Sequence, residues 1–290
     1  VHKSLWPSVC PSVGEFARTQ GVGGIPNGTP ITGILGDQQA ALLGQACLEP
    51  GMAKITYGTG SFILLNTGDR PVRSSHQLLT TIAWALDSQR YTYAIEGSAF
   101  IAGAAVQWVR DGLGMIKKSS EIEKLARSVP DSGGVVFVPA LTGLGAPYWD
   151  PHATGLLTGL TRGTNRGHLA RATLEGIAFQ NTVILRAMEK DLGAPLKELR
   201  VDGGASANDL LMQIQTDLLD LKLLRPRIQE TTALGAIFAA GLGAGIWRDI
   251  EDVRKAWKLK KTFEPEISPA ERSRRMQSWS RAVGRAMFHG

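Results

Sequence analysis

The sequence predicts an α/β fold in which a mixed sheet is covered by helices. Short apolar segments rich in β-branched residues alternate with longer segments of helical periodicity along most of the 290 residues, as in folds that pack helices onto a sheet. The leading half also holds pairs of strand-like segments separated by tight turns, which indicate hairpins and therefore antiparallel strands.

The leading half predicts more strands than helices. Residues 7–30 are rich in Pro, Gly, Ser and Thr, which indicates an irregular segment. A strand over 31–35 follows, and then a helix over 38–47 that ends before a Pro-Gly pair. The next predicted elements are hairpins formed by 53–57 with 62–66 and by 79–85 with 91–95, and then a helix from Gly97 to about Leu113.

The second half predicts alternating strands and helices. The predicted strands cover 135–138, 199–201 and 222–224, and the predicted helices cover 168–190, 207–218 and 232–242. Near the end, apolar residues recur at helical spacing among many arginines, at Met276, Trp279, Val283 and Met287. This pattern predicts an amphipathic closing helix with a solvated basic face, the alternative being a surface for nucleic acid or membrane.

Bulk properties exclude several classes of protein. The chain is 43% hydrophobic and 20% charged, which is an ordinary globular composition, and much of the basic excess behind its net charge of +6 lies beyond residue 250, so we expect no nucleic-acid partner. It contains no run of about 20 apolar residues and no secretion signal at its start, so we expect no membrane span and a cytoplasmic location. Cys10, Cys47 and five scattered histidines form no ligand motif, so we expect neither a metal site nor a disulfide framework.

Two glycine-bracketed segments indicate a nucleotide site. Gly58, Thr59 and Gly60 separate two predicted strands, and Gly203-Gly204 follows the predicted strand over 199–201. Glycine lacks a Cβ atom, so backbone N–H groups at such positions can approach phosphate oxygens closely. The two segments together therefore predict a site for a phosphorylated nucleotide.

Asp37 lies where the predicted strand over 31–35 ends and the next helix begins. At the edge of a sheet, a carboxylate in this position projects toward a cleft. It could act as the general base that accepts a proton from an attacking hydroxyl in phosphoryl transfer. It could equally cap the helix N-terminus. The residues alone leave both interpretations open.

Several long motifs, in the right order, closely resemble the glycerol-phosphorylating members of the FGGY carbohydrate kinase family. They begin with Thr32-Gly33-Ile34-Leu35-Gly36-Asp37-Gln38-Gln39 and Tyr57-Gly58-Thr59-Gly60-Ser61-Phe62. Further matches are found over 78–83, 143–150, 159–163, 168–175 and 201–205, and the resemblance covers about Leu5 to Met287. It implies an actin-like, ribonuclease-H-type ATPase fold of which this chain is the C-terminal half.

The resemblance also implies roles for individual residues in transfer of the ATP γ-phosphate to glycerol. Asp37 matches the catalytic base, Gln38 a residue that holds the polyol, and Phe62 an aromatic that packs on the glycerol carbons. ATP with Mg²⁺ is the implied phosphate donor. The positions that match nucleotide contacts are Gly58, Thr59, Gly60, Gly103, Gln107, Gly203, Gly204, Ala205 and Asn208. Tyr148 and Trp149 resemble a sugar platform but are interpreted as loop-packing aromatics.

Some parts of the family pattern have no match in these 290 residues. The family's N-terminal domain, with its own phosphate loop and the residues that complete the polyol pocket, is not found, and the chain starts with Val1. We therefore expect an interdomain segment over 1–30 and a nucleotide-binding domain over 31–290, and a homo-oligomer in the full-length enzyme. We expect the isolated chain to bind ATP weakly without phosphorylating glycerol. The stretch 26–30 contains no arginine, so inhibition by fructose 1,6-bisphosphate, known in the family, is not expected.

Two other functions are compatible with the resemblance. One is an FGGY kinase that acts on a pentulose or hexulose, against which Thr80-Thr81 and the 146–149 segment favour glycerol. The other is a noncatalytic actin-like module that only binds nucleotide. Asp37 beside an intact Gly58-Thr59-Gly60 argues against that module, because binding alone requires no base.

Overall fold

A seven-stranded mixed sheet forms the centre of the computed structural model, which describes residues 2–288. The strands are β1 (Val13–Arg18), β2 (Pro30–Gly33), β3 (Met52–Tyr57), β4 (Ser61–Gly68), β5 (Leu79–Ala85), β6 (Tyr91–Ala99), β7 (Val136–Val138), β8 (Leu156–Thr158), β9 (Glu198–Asp202), β10 (Leu223–Pro226) and β11 (Leu259–Phe263). The α-helices are α1 (Asp37–Gly44), α2 (Gly103–Asp111), α3 (Glu121–Ala126), α4 (Arg166–Leu192), α5 (Asp209–Leu219), α6 (Thr231–Gly243), α7 (Ile250–Ala256) and α8 (Pro269–Ala286). Short 3₁₀ helices cover Lys3–Leu5 and Gly204–Ala207.

The order of strands in the central sheet is β11-β10-β9-β3-β4-β6-β5. β9 pairs in parallel with both β3 and β10, and the remaining neighbours pair antiparallel. β1 pairs with β2, and β7 with β8, in two small antiparallel sheets. The predicted α/β class with a mixed sheet is therefore confirmed.

The two faces of the sheet bury separate apolar cores. Ile55 and Tyr57 of β3 belong to the larger core, which α4, α5 and α8 cover. Met52 and Leu64 belong to the smaller core, which α1 and α6 cover. Alternate residues of a strand point to opposite faces, so Lys54 and Thr56 face the α1 layer although neither is apolar. A polar cluster consequently lies between the sheet and α1.

Helices α1 and α6 pack with their backbones almost in contact. A Cβ atom built on Gly235 would lie 1.7 Å from the carbonyl oxygen of Ala40, and one on Gly44 would lie 1.9 Å from that of Thr231. Only glycine fits at either point, because backbone atoms cannot yield as a flexible side chain can. This close approach fixes the position of α1, the helix that begins with Asp37.

Helix α4 carries specific signals at both ends. The Asn165 side chain accepts hydrogen bonds from the backbone N–H groups of Gly167 and His168, and Gly193 ends the helix in the left-handed conformation at φ 71°.

Near the C-terminal end of α4 the Asp191 carboxylate accepts a hydrogen bond from His76 Nδ1 at 2.7 Å and others from two serines. Burial alone would raise the pKa of Asp191, but these hydrogen bonds outweigh it and lower the pKa to about 2. The carboxylate thereby ties α4 to the loop before β5.

The predicted strands, hairpins and helices are present with shifted ends, apart from two errors. The helix predicted from Gly97 is wrong at its start, because β6 continues to Ala99 and α2 begins only at Gly103. Gly97 is a strand residue whose missing side chain leaves room for Ile184. The segment predicted to be irregular contains β1, which pairs with β2. Elements without a sequence prediction are α3, α7, β8 and β11.

The closing helix is present as α8. Trp279 and Val283 are buried in the larger core, and Phe179 stacks on Trp279 at a centroid distance of 5.2 Å. The arginines of α8 form ion pairs mainly with nearby carboxylates, such as Arg275 with Glu271 at 2.6 Å. No helix among residues 2–288 combines the length and apolar character that crossing a membrane requires.

Candidate functional site

A cavity of about 420 Å³ opens where the turn after β3 meets α2, α3 and the segment before α5. Its floor is largely apolar and built from small or aliphatic residues, among them Val106, Ile122, Leu174 and Leu211. Its rim is formed by the glycine turn on one side and the 204–208 segment on the other. A largely apolar cavity with a glycine turn at its rim suits a nucleoside with a phosphate tail.

The turn between β3 and β4 is held by backbone hydrogen bonds to α2. The Gly103 N–H donates to the carbonyl oxygen of Gly58 at 3.0 Å, and the Ala102 N–H donates to that of Thr59 at 2.8 Å. A Cβ atom on Gly103 would lie 2.5 Å from the Gly58 oxygen, so this glycine permits the close approach. The α2 N-terminus is thereby fixed against the turn, and Thr59 stays exposed at the cavity.

The segment after β9 is fixed in a similar way. Gly203 has φ 82°, and a Cβ atom there would lie 2.4 Å from the carbonyl oxygen of Tyr57. Asn208 caps α5, since its side chain accepts a hydrogen bond from the Leu211 N–H at 2.9 Å. Gly204 has open space where a side chain would stand. This segment therefore presents a rigid backbone with a free face toward the cavity.

Two charged residues that the motifs did not indicate hold this segment in place. Glu123 of α3 lines the cavity, and its carboxylate accepts hydrogen bonds from the N–H groups of Asp209 and Leu210, both at 3.2 Å. Arg225, 6% exposed, donates to the carbonyl oxygen of Ser206 at 2.7 Å and pairs with Asp209 at 2.9 Å. Both act on the segment from distant positions in the sequence, so no local pattern could reveal them.

Asp37 is the first residue of α1 and is exposed to solvent. The N-cap position is occupied by Gly36, so the interpretation of Asp37 as the N-cap residue is wrong. Its carboxylate accepts a hydrogen bond from the Gln38 N–H at 2.8 Å, and a negative charge in the first turn suits the helix dipole. Asp37 does not line the cavity of about 420 Å³ itself. Its exposed oxygens are available to a molecule outside that cavity.

A buried polar cluster connects the start of α1 to the turn and to β9. Lys54 Nζ donates to Gln38 Oε1 and to Thr56 Oγ1, and Thr56 hydrogen-bonds Asp202, which directly precedes Gly203. Burial lowers the pKa of Lys54 to about 8, although the nearby carboxylates of Asp202, Glu96 and Asp37 oppose that shift. Burial also raises the pKa of Asp202, against the effect of Lys54 and its hydrogen-bond donors.

Phe62 lies on the same face of the sheet as this cluster. It pairs with Thr56 across the antiparallel β3–β4 ladder, and directly opposed residues share a face. Its side chain is 39% exposed, which leaves an apolar ring available on that face of the sheet. Trp149 is also exposed, but its Nε1 donates to the Gln77 carbonyl at 2.8 Å and its ring contacts Phe100, so it packs the loop.

The structure groups the predicted nucleotide positions around one cavity, although not all of them form its wall. The predicted residues that line it are Gly58, Thr59, Gly103, Gln107, Gly204, Ala205 and Asn208. Gly60 and Gly203 lie behind it, where their missing side chains leave room for the backbone of Ala99 and of Tyr57. Among residues 2–288 there is no group of three or more His, Cys, Asp or Glu side chains arranged to hold a metal ion.

Comparison with known proteins identifies the class to which this fold and cavity belong. Residues 53–244, more than half of the chain, match the model of the C-terminal domain of the FGGY family of carbohydrate kinases. The chain therefore belongs to the FGGY carbohydrate kinase family.

Curated relatives agree with this assignment over almost the whole chain. The chain is 56% identical to a glycerol kinase of Bdellovibrio bacteriovorus over 285 residues, and 56% identical to one of Myxococcus xanthus over 287 residues. These alignments cover 98% and 99% of this chain but 58% of each relative. The chain thus spans a little over half the length of the curated relatives it matches.

Solved structures confirm the actin-like class of the fold. The crystal structure of Plasmodium falciparum glycerol kinase with ADP superposes with a TM-score of 0.92 at 36% identity, covering 99% of this chain and 57% of that one. A ligand-bound xylulose kinase from Lactobacillus acidophilus superposes with a TM-score of 0.77 at 22% identity, covering 90% of this chain and 52% of that one. The second similarity concerns the fold alone.

Proposed function

We propose that this chain is the C-terminal, nucleotide-binding part of an ATP-dependent glycerol kinase, which transfers the γ-phosphate of ATP to glycerol to give glycerol 3-phosphate. The observation that carries the proposal is the shared cavity, where the turn at Gly58-Thr59 and the segment at Gly204-Ala205 face each other. The names of the relatives at 56% identity, and of the ADP-bound structure, support this choice of substrates.

In the proposed mechanism, the adenosine occupies the apolar floor and the phosphates extend toward the glycine turn. The N–H groups of Thr59 and Gly60 and the Thr59 hydroxyl neutralise charge on the phosphates, and they need no rearrangement because α2 already fixes the turn. Phosphoryl transfer depends mainly on such positioning and charge stabilisation. Mg²⁺ would arrive with ATP as part of the substrate, held chiefly by phosphate oxygens, so a dedicated protein cluster is not required.

The alcohol is proposed to bind at the start of α1. Asp37 accepts the proton of the attacking hydroxyl, Gln38 holds the polyol through its amide, and Phe62 packs on the carbon chain. Two observations support this placement. Gln38 is held by its hydrogen bond with Lys54, and the ring of Phe62 is exposed on the same face of the sheet. A base positioned in this way contributes about 10²–10⁴-fold to a rate.

A substrate panel tests the proposed activity. The complete protein that contains this chain is expected to phosphorylate glycerol with a kcat/KM at least about 100-fold above that for xylulose or gluconate, because a site built to hydrogen-bond one polyol discriminates strongly against others. ADP formation is followed with each acceptor in turn. A preference for a ketose would support the sugar-kinase alternative, and ATP binding without any turnover would support the noncatalytic alternative.

Replacing Gly204 tests the nucleotide site. The Gly204→Val chain is expected to fold about as stably as the wild type, because Gly204 is exposed and a Cβ atom built there meets nothing within 4 Å. Its affinity for ADP, measured by calorimetry, is expected to fall at least about tenfold, since the new methyl groups occupy the cavity rim. The matched control is Gly163→Val at another exposed glycine away from the cavity, where ADP affinity should not change. Unchanged ADP binding in Gly204→Val would contradict the placement.

Other properties follow from the proposal as predictions. They are a cytoplasmic location, a homo-oligomeric full-length enzyme, the domain division near residue 30, and lack of glycerol turnover by the isolated chain. We expect no glycerol turnover by the isolated chain because this chain leaves Asp37 exposed to solvent and so forms only one wall of the proposed glycerol site.

A further inference from the structure

A lysine ammonium group is buried beneath the proposed alcohol site. Lys54 is 0% exposed in the central strand β3, although a buried lysine is rare unless it is paired. Its Nζ donates to Gln38 Oε1 in the first turn of α1 and to Thr56 Oγ1 at 2.9 Å. A buried charge is costly, so the presence of a lysine at this position calls for an explanation beyond packing.

The contacts of Lys54 are directed toward the proposed site. By bonding the side-chain oxygen of Gln38, the ammonium determines which way the Gln38 amide group faces. The NH₂ end of that amide is then the end left to donate toward a substrate hydroxyl. The groups whose charge raises the pKa of Lys54, against the larger effect of burial, are Asp202 of β9, Glu96 of β6, the Cys47 thiol and Asp37 of α1. The lysine is thus the positive centre of an otherwise acidic cluster.

We propose that Lys54 is a positioning residue for the alcohol substrate: through its hydrogen bond to Gln38 it fixes the amide orientation that glycerol requires. This inference rests on the proposed function, because it assigns a task to Lys54 within the glycerol site. Lys54 itself acts through Gln38 and is not expected to touch the substrate.

Arg200 provides a matched comparison within the same sheet. It is the register partner of Lys54 on β9 and is also buried, at 7% exposure. Its guanidinium donates to the carbonyl oxygen of Gln45, just beyond the C-terminal end of α1, and stacks on Trp257 at 3.9 Å. Removal of either cation leaves the same layer short of a positive charge, but only Lys54 reaches the first turn of α1.

The test compares Lys54→Met with Arg200→Met in the complete protein. In Lys54→Met the KM for glycerol is expected to rise at least about tenfold, the size typical of a lost charged hydrogen bond, while the KM for ATP stays within about threefold. In Arg200→Met both KM values are expected to stay within about threefold. The double variant Lys54→Met/Gln38→Ala is expected to raise the glycerol KM no further than Gln38→Ala alone, because both changes remove one interaction.

The outcomes separate this inference from the proposed function. Failure of the wild-type protein to phosphorylate glycerol refutes the proposed function and this role with it. Glycerol turnover by the wild type, with an unchanged glycerol KM in folded Lys54→Met, refutes only the role of Lys54. Equal effects of the Lys54 and Arg200 variants, or additive effects of Lys54→Met and Gln38→Ala, also refute it. If Lys54→Met does not fold, as judged by circular dichroism, Lys54→Leu, which likewise has no hydrogen-bond donor, replaces it in the same cycle with the same criteria.

Discussion

The Asp37→Asn variant of the complete protein is expected to lose about 10²–10⁴-fold in kcat for glycerol phosphorylation, the range attributed to general-base catalysis. Asparagine has nearly the same shape but cannot accept the hydroxyl proton. The affinity of the Asp37→Asn protein for ADP should stay within about threefold of the wild type, because Asp37 lies outside the cavity that the turn and the 204–208 segment enclose. Turnover is measured by coupled assay and ADP affinity by calorimetry.

A matched change at an exposed aspartate is the control for this experiment. Asp69 is exposed, follows the end of β4 opposite to Phe62 and does not line the cavity, so Asp69→Asn should leave both turnover and ADP affinity unchanged. If Asp37→Asn retained more than about a tenth of the wild-type kcat, Asp37 would not be the base. Loss of turnover together with loss of ADP binding would instead indicate damage to the fold.

The Gly235→Ala variant is expected to lower the free energy of unfolding of this chain by about 3 kcal/mol or more, at or beyond the upper end of overpacking costs. The added methyl carbon would lie 1.7 Å from the carbonyl oxygen of Ala40, so α1 and α6 must separate. The expected loss is measured by urea denaturation followed by circular dichroism. Since α1 carries Asp37 and Gln38, the displaced helix should also lower glycerol turnover in the complete protein.

Gly284 offers a control of the same kind in another helix. It lies in α8, is exposed, and has no atom within 4 Å of the position of an added Cβ. Gly284→Ala should therefore stabilise the chain by up to about 1 kcal/mol, since alanine is the better helix former. A Gly235→Ala chain as stable as the wild type would show that the two helices do not pack as described.

Local sequence patterns predicted most of the central sheet and its covering helices. Alternating apolar residues and tight turns were sufficient to predict the β3–β4 and β5–β6 hairpins, both of which are antiparallel as expected. The helix predicted from Gly97 is present as α2, but its predicted start was wrong because the pairing of β6 with β4 extends the strand to Ala99. β11 was missed since its lysines read as a solvated segment, whereas its pairing with β10 makes it an edge strand.

The candidate site could be predicted only where its residues belong to contiguous motifs. Gly58, Thr59 and Asp37 were accessible to sequence reasoning because glycine turns and strand ends have local signatures. Glu123 and Arg225 were not, since their hydrogen bonds to the segment before α5 exist only after folding. A lysine in a strand is ordinarily a surface residue, so Lys54 gave no signal until its burial was known.

The backbone contact between Gly203 and Tyr57, with that between Gly103 and Gly58, joins three loops into one stiff unit. Such a unit has little conformational entropy left to lose, so it would form a preorganised site that a nucleotide can bind without rearranging the loops. If the complete protein closes over a bound nucleotide, we therefore expect whole bodies to move around this unit while the unit keeps its shape. Crystals grown with and without ADP should accordingly superpose within these loops.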